Sequence, residues 1–277
     1  MQVDSIIANT ITDEIRLNGH QSIRLSADGF SILVSDASFV PVWLKRFSFS
    51  SPTSLNKRAR ECRRILEEQN LFSFQGEVVF INDTPAAALV PDPFFDESRK
   101  EELLGSSFQI AEGEAVLSRR LKNRSEHILC SFPGHFQKLT ELYSHEVKVL
   151  HAGECMVSLS DQVSASDHQR GFVLIEVQKQ EMEILVIKGD NIVLSNRYVL
   201  KEPDEYLYHT LNTFKQLGLD RESVPLYYAG VYEEDKGPKQ LMKKFIRKIE
   251  PVPYFLEGLD NGQRLQFLLL SEATKCA

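Results

Sequence analysis

Residues Ser22 to Ser35 read SIRLSADGFSILVS. Ile23 and Leu25 alternate with polar neighbours, Asp28-Gly29 follows, and Phe30, Ile32 and Val34 alternate again. A period of two buries one face of a strand. Asp-Gly is a preferred pair for a tight two-residue hairpin turn, because both residues tolerate positive φ. The segment therefore predicts a β-hairpin with Asp28-Gly29 at its turn. A third strand is expected from about Val40 to Phe49, on Val42, Leu44, Phe47 and Phe49. A helix comes next. Ser51-Pro52-Thr53 supplies a start signal, and Leu55, Ala59, Cys62, Leu66 and Gln69 step at helical spacing, with Lys57, Arg58, Arg64 and Glu68 outside. Glu77 to Ile81, with Val78, Val79 and Phe80, reads as a buried strand.

The same order recurs. Phe172 to Val177 and Glu183 to Lys188 read as strands, and Gly189-Asp190-Asn191 turns the chain into a third, Ile192 to Val199. A helix is predicted from Pro203, a residue suited to the first helical position. Its apolar face is Tyr206, Leu207, Leu211, Phe214 and Leu217, with Gly218 as its C-terminal cap. Pro225 to Ala229 is a further strand. The spans Ser22 to Glu77 and Phe172 to Leu226 are almost equal in length. Two strand-strand-strand-helix-strand units in tandem are a structural repeat.

Both units continue. Glu126 to Phe132 is an expected strand, Gly134 to His145 a helix and Val147 to Leu150 a strand. The polar stretch from Asn82 to Arg124 reads as an insertion. In the second unit a helix is expected over Lys239 to Ile249, a strand over Val252 to Leu256 and a closing helix over Asn261 to Ala273. Ser158 to Arg170, rich in Ser, Asp and Gln, reads as a linker. The expectation is an α/β protein of two lobes, residues 1–165 and 166–277, with the closing helix returning to the first.

Composition limits the function. The chain has 277 residues, 42% hydrophobic and 26% charged, which excludes a mainly disordered or coiled-coil chain. Acidic residues outnumber basic ones 39 to 32, a net charge of -7, which argues against a nucleic-acid binder that works by displacing counterions. Met1 to Gly19 carries Asp4, Asp13 and Glu14 and lacks the pattern of a signal peptide. No apolar run is long enough to span a bilayer. Cys62, Cys130, Cys155 and Cys276 are scattered, as expected of reduced thiols in the cytoplasm.

The tandem units have the topology of the actin-like ATPase fold. More specifically, the chain resembles a bacterial family of unknown function with that fold. The residues that carry the resemblance are Leu89-Val90-Pro91 with Phe94 and Phe95, Ser195-Asn196-Arg197-Tyr198, Asp204-Glu205-Tyr206-Leu207-Tyr208 and Tyr228-Ala229-Gly230. They span most of the chain from Ser22 to Ile249. The resemblance implies two duplicated ribonuclease-H-like lobes, each βββαβαβ, with an insertion at about 82–125 in the first. It implies no activity. Active members of the fold hold nucleotide in the cleft between lobes, where each lobe supplies an Asp-x-Gly hairpin and a third, glycine-paired loop lies against adenosine.

Tested against that pattern, the cleft residues are Asp28, Gly29, Glu176, Gln178 and Gly230. Asp28 and Gly29 are adjacent rather than spaced by one, which a plain turn explains. At the second hairpin Gln178 replaces the glycine, and its side chain crowds a phosphate. Glu181 and Glu183, read as solvated, add repulsive charge. In the third loop Ala229 replaces one glycine and Gly230 remains. No Lys-Ser or Lys-Thr phosphate loop occurs. The reading is a degenerate nucleotide cleft with no catalytic residue, no cofactor and no metal site, in an interaction or scaffolding module. An ATP-binding protein or slow ATPase using magnesium is the alternative. A small-molecule kinase lacks an aspartate base.

His127 and Cys130 sit at odd spacing on a strand, so they face opposite sides and do not converge on zinc. His151 and Cys155 read as an ordinary histidine and a buried cysteine. Lys236, Lys239, Lys243, Lys244, Arg247 and Lys248 form a basic stretch without an acid. Lys239, Lys243, Lys244 and Arg247 are the expected contact residues for an acidic protein partner, with Leu241, Phe245 and Ile249 inward. Pro91-Asp92-Pro93-Phe94-Phe95 reads as a second contact or a rigid loop.

Overall fold

The computed structural model describes residues 1–26, 28–49, 53–202, 204–230 and 238–276, with backbone alone for residues 238 and 239. They divide into two compact units, 1–154 with 270–277, and 155–269.

Unit 1 opens with strand β1 (Gln2–Ala8) and a short helix α1 (Asp13–Asn18), neither predicted. The hairpin follows as β2 (His20–Ser26) and β3 (Gly29–Ser35), then β4 (Pro41–Ser48), all antiparallel. Helix α2 (Leu55–Glu68) starts later than expected. Ser54 caps it by accepting from Lys57 N–H at 3.3 Å, while Ser51 and Pro52 of the predicted start lie outside the described residues. Strand β5 (Glu77–Asn82) runs parallel to β2. The sheet order is β1-β4-β3-β2-β5-β9, where β9 is Lys148–His151. Ile23, Phe30, Ile32 and Val34 of its inner face pack with Cys62 and Leu66 of α2. Burial of each large side chain contributes roughly 1.5–3 kcal/mol, and Phe30 also stacks on Phe47 with centroids 4.7 Å apart.

The predicted insertion is built rather than loop-like. It holds β6 (Ala87–Pro91), α3 (Lys100–Gly105) and β7 (Glu114–Arg120). These strands flank β8 (Glu126–Pro133) in a separate sheet of order β6-β8-β7, so β8 lies outside the main sheet. Helix α4 (Gly134–Thr140) is shorter than the expected run to His145. It still delivers Phe136 and Leu139 to the main core. The supposed linker is mostly helical: α5 (Ala152–Ser160) and α6 (Ala165–Arg170), the latter capped by Ser164 on Asp167 N–H. Ser164 serves as a cap, and composition alone reads such a residue as part of a loop.

Unit 2 repeats the pattern. Strands β10 (Phe172–Val177), β11 (Glu181–Lys188) and β12 (Asn191–Val199) form the meander. Helix α7 (Glu205–Gln216) follows; Pro203, its predicted start, lies outside the described residues. Gly218, at φ +62°, ends the helix, with Leu219 N–H on Phe214 O at 2.8 Å. Strand β13 (Leu226–Gly230) runs parallel to β10, and the sheet order is β12-β11-β10-β13-β14, where β14 is Ile249–Pro251. The expected helix over Lys239 to Ile249 is α8 (Pro238–Met242) only. Met242 and Ile246 are buried while Phe245 is 44% exposed, because the chain turns after Met242 and the helical spacing is lost. The strand expected over Val252 to Leu256 lies earlier and is shorter, as β14 (Ile249–Pro251). The closing helix is two helices. The first is α9 (Asn261–Gln266), with an Asp260–Gln263 capping box, and the second is α10 (Leu268–Cys276).

The two meanders correspond residue by residue. Arg24, Ser31 and Arg46 lie abreast on β2, β3 and β4; Glu176, Glu183 and Arg197 lie abreast on β10, β11 and β12. Each third strand also bulges at one place. Val42 is the extra residue opposite the Val34–Ser35 step, and Val193 opposite the Val186–Ile187 step.

Candidate functional site

The first hairpin differs from the prediction in its turn. Ser26 pairs with Gly29, so Asp28 lies in the turn and Gly29 is the first residue of β3. Ala27 lies outside the described residues. Glycine is required at 29 for space: a Cβ there would lie 1.9 Å from the Phe47 carbonyl oxygen of β4. Asp28 faces its own sheet. Its carboxylate accepts from Ser26 Oγ at 3.0 Å and pairs with Arg46 Nη2 at 2.8 Å, and Phe49 N–H bonds to its carbonyl at 2.8 Å. Two strands away, Arg24 Nε pairs with Asp83 Oδ2 at 2.8 Å, both buried.

At the second hairpin Glu176 is buried and accepts from Gln178 Nε2. Gln178 N–H closes the turn on the Glu181 carbonyl at 2.7 Å. Glu181 and Glu183 are not solvated, contrary to the sequence reading. They are 6% and 2% exposed, and both take Arg197, whose Nη2 lies 2.6 Å from Glu181 Oε2 and Nη1 3.0 Å from Glu183 Oε2. Cross-strand register sets this: Glu183 stands opposite Arg197 in β12. The Gly189-Asp190 turn alone does not give this pairing: counting back from Lys188 opposite Asn191 puts Asn196 opposite Glu183, and the bulge at Val193 shifts the register to Arg197. Charges buried this way persist only when paired.

Gly230 ends β13 opposite Val177 at φ +99°. A Cβ there would lie 2.0 Å from the Val177 carbonyl oxygen, so β10 accounts for this glycine. Residues 231–237, which continue the third loop, lie outside the described residues. The equivalent rows differ in charge on their first two strands and share an arginine on the third. Unit 1 presents two arginines held by aspartates, and unit 2 presents glutamates held by an arginine.

The basic stretch is divided. Lys236 and the Lys239 side chain lie outside the described residues. Lys243 and Lys244 are exposed past the end of α8, and Arg247 reaches Glu222 at 3.2 Å on the surface. In the insertion Phe94 is 73% exposed, while Phe95 stacks on His127 with centroids 3.6 Å apart. Cys130 is buried, and burial pushes its thiol up to about 12.

A polar cluster where β9 meets α5 escaped the sequence reading. His151 accepts from Gly153 N–H at Nδ1 (3.0 Å) and donates from Nε2 to the Thr84 carbonyl (2.9 Å), so both ring nitrogens are engaged. Glu154 accepts from His151 N–H at 2.8 Å and Arg119 Nε at 2.9 Å; burial raises its carboxyl above the ordinary value. These bonds tie α5 to the insertion sheet. Among the described residues, no three His, Cys, Asp or Glu side chains are grouped so as to hold a metal ion.

A three-stranded meander, a helix and a parallel strand, repeated in both units, define an actin-like ATPase fold, and solved structures agree. A Bacteroides thetaiotaomicron protein with an actin-like ATPase fold and unknown function superposes with a TM-score of 0.78 at 19% identity, covering 97% of this chain and 100% of that one. A PilM–PilN type IV pilus biogenesis complex gives 0.58 at 14% identity, covering 94% and 98%. A family model matches residues 10–249, and the chain belongs to the family described as protein of unknown function (DUF3822). No curated protein matches it.

Proposed function

We propose that this chain is a non-catalytic interaction module on an actin-like fold. The observation that carries the reading is the commitment of Asp28 to Arg46 and Ser26. In an ATPase of this fold that hairpin carboxylate organises magnesium and water. Here metal binding must first displace an arginine at 2.8 Å. Glu176, taken up by Gln178, supports the same reading at the second hairpin. Gly230 is explained by β10 without a ligand.

A ligand that binds the native state must stabilise it. Calorimetric titration with ATP and magnesium is therefore expected to give no heat, and the melting temperature is expected to stay within about 1 °C at millimolar nucleotide. Micromolar binding would favour the ATPase alternative instead.

The partner we propose is an acidic protein surface, met by Lys243 and Lys244, with Lys239 and Arg247 as the further contacts expected from the same stretch of sequence. A similar fold occurs in PilM, solved in complex with PilN. Exposed charges of this kind chiefly set association rate and salt dependence. The double variant K243E/K244E is expected to weaken capture of the native partner at least tenfold while leaving the melting curve in place. Unchanged capture sinks this contact. We assign the module to the cytoplasm. Cys62, Cys130 and Cys155 are buried free thiols, which suits a reducing compartment. No described helix is long and apolar enough to cross a membrane.

A further inference from the structure

Strand β12 is an outer strand of its sheet. The duplication shows what that edge lacks. Its counterpart β4 carries β1 on its far side, antiparallel, from Gln2 opposite Ser48 to Ala8 opposite Trp43. Asn9 N–H extends the pairing to the Val42 carbonyl at 3.1 Å, at the bulge itself. A bulge at this place therefore does not block an added strand. Among the described residues β12, with the same bulge at Val193, has no such strand.

A free strand edge is a row of backbone donors and acceptors ready to pair, and proteins guard it with lysines, prolines or other charges. β1, the outer strand of unit 1, carries Asp4. β12 reads NIVLSNRYV, and its one ionised side chain, Arg197, is 3% exposed and turned onto Glu181 and Glu183. What β12 presents outward is uncharged: Val193 is 44% and Val199 57% exposed, and Asn191 and Asn196 are exposed beside them.

We infer that β12 pairs antiparallel with β12 of a second copy of this chain. Antiparallel is the sense in which β4 takes β1. Two-fold antiparallel pairing of one edge with itself sets its outward donors opposite outward acceptors on either side of the bulge. The flanks suit it: Lys188 and Asp190 lie at one end, Lys201 and Glu202 at the other, all exposed. An antiparallel copy brings each Asp190 toward the other's Lys201 and each Lys188 toward the other's Glu202. A nine-residue edge buries less area than a standard interface, so the dimer is a weak one that forms at high micromolar concentration.

Sedimentation velocity of the full chain tests this from about 5 to about 500 µM, a range that brackets weak dimers. The expected result is a shift from 31.6 kDa toward twice that mass, with amides of β12 gaining protection from hydrogen exchange as concentration rises. V193K/V199K is expected to remain monomeric throughout with an unchanged melting curve, since both side chains are exposed. A wild-type chain still monomeric at the top concentration overturns the inference. So does a dimer that V193K/V199K leaves intact, or one that forms without added protection in β12.

Discussion

Replacing Arg197 by methionine is expected to destabilise the protein by about 3–5 kcal/mol. The change keeps most of the side-chain volume and removes only the guanidinium. That leaves Glu181 and Glu183, 6% and 2% exposed, without the cation that lies 2.6 and 3.0 Å from them. Removing one partner of a buried ion pair costs more than the pair itself contributes, because the survivor stays desolvated and charged. Two survivors on one strand also repel each other. Urea unfolding of both proteins at pH 7 measures the effect. The sign of its pH dependence follows: a buried carboxylate that has lost its arginine binds a proton more readily folded than unfolded, so the variant gains on wild type as pH falls toward about 5. Adding E181Q and E183Q to the variant removes the orphaned charges and is expected to recover at least half of the loss. A loss below about 1 kcal/mol for R197M alone would mean that water reaches the cluster.

Gly230→Ala has an effect of similar size through a different cause. The added Cβ meets three backbone atoms of Val177: its carbonyl oxygen at 2.0 Å, its nitrogen at 2.7 Å and its carbonyl carbon at 2.8 Å. These atoms belong to the paired strand β10, so they cannot swing aside as a flexible side chain does. The φ of +99° adds strain for any L-residue. Strain and overpacking together suggest a loss of about 3–5 kcal/mol. Gly189→Ala separates the two terms. Its φ is also positive, at +62°, but nothing lies within 4 Å of the added carbon. That variant is expected to lose only about 1–2 kcal/mol, the conformational part alone. Equal losses for the two alanines would show that the close approach of β10 is not what the glycine serves. Guanidinium titrations read at the same temperature make the comparison.

The strands at the centre of each sheet were legible because one face of each is apolar. Ile23, Phe30 and Val34 announce their strands by alternation, whereas β10 and β11 show as continuous apolar runs, Val173 to Ile175 and Ile184 to Ile187. Strand β1 was not, because an edge strand with its residues mostly exposed needs no apolar face. The basic segment misled for a definite reason. Leu241, Phe245 and Ile249 have helical spacing, but Met242 and Ile246 are the buried pair once the chain turns. At the site, the departures at Gln178 and Ala229 were visible as residue identities. The partners of Asp28, Glu181 and Glu183 were not, since Arg46 and Arg197 reach them only through strand register. Asp28-Gly29 predicted the right hairpin and the wrong turn. The sequence has no sign for the passage of β4 within 1.9 Å of a Cβ at Gly29.

The division of the chain has a consequence for how the molecule is made. Unit 2 is one unbroken stretch, 155–269, whereas unit 1 joins residues 1–154 to the tail at 270–277. Leu270 and Ala273 in that tail are buried. A ribosome delivers the large part of unit 1 first, yet that unit waits for its last helix until all of unit 2 has been synthesised. The usual order, in which the N-terminal domain completes itself before the next emerges, is therefore not open to this chain. Its first half must persist for a time as an unfinished body, and its final closure is the longest-range event in folding, of the kind that topology makes slow.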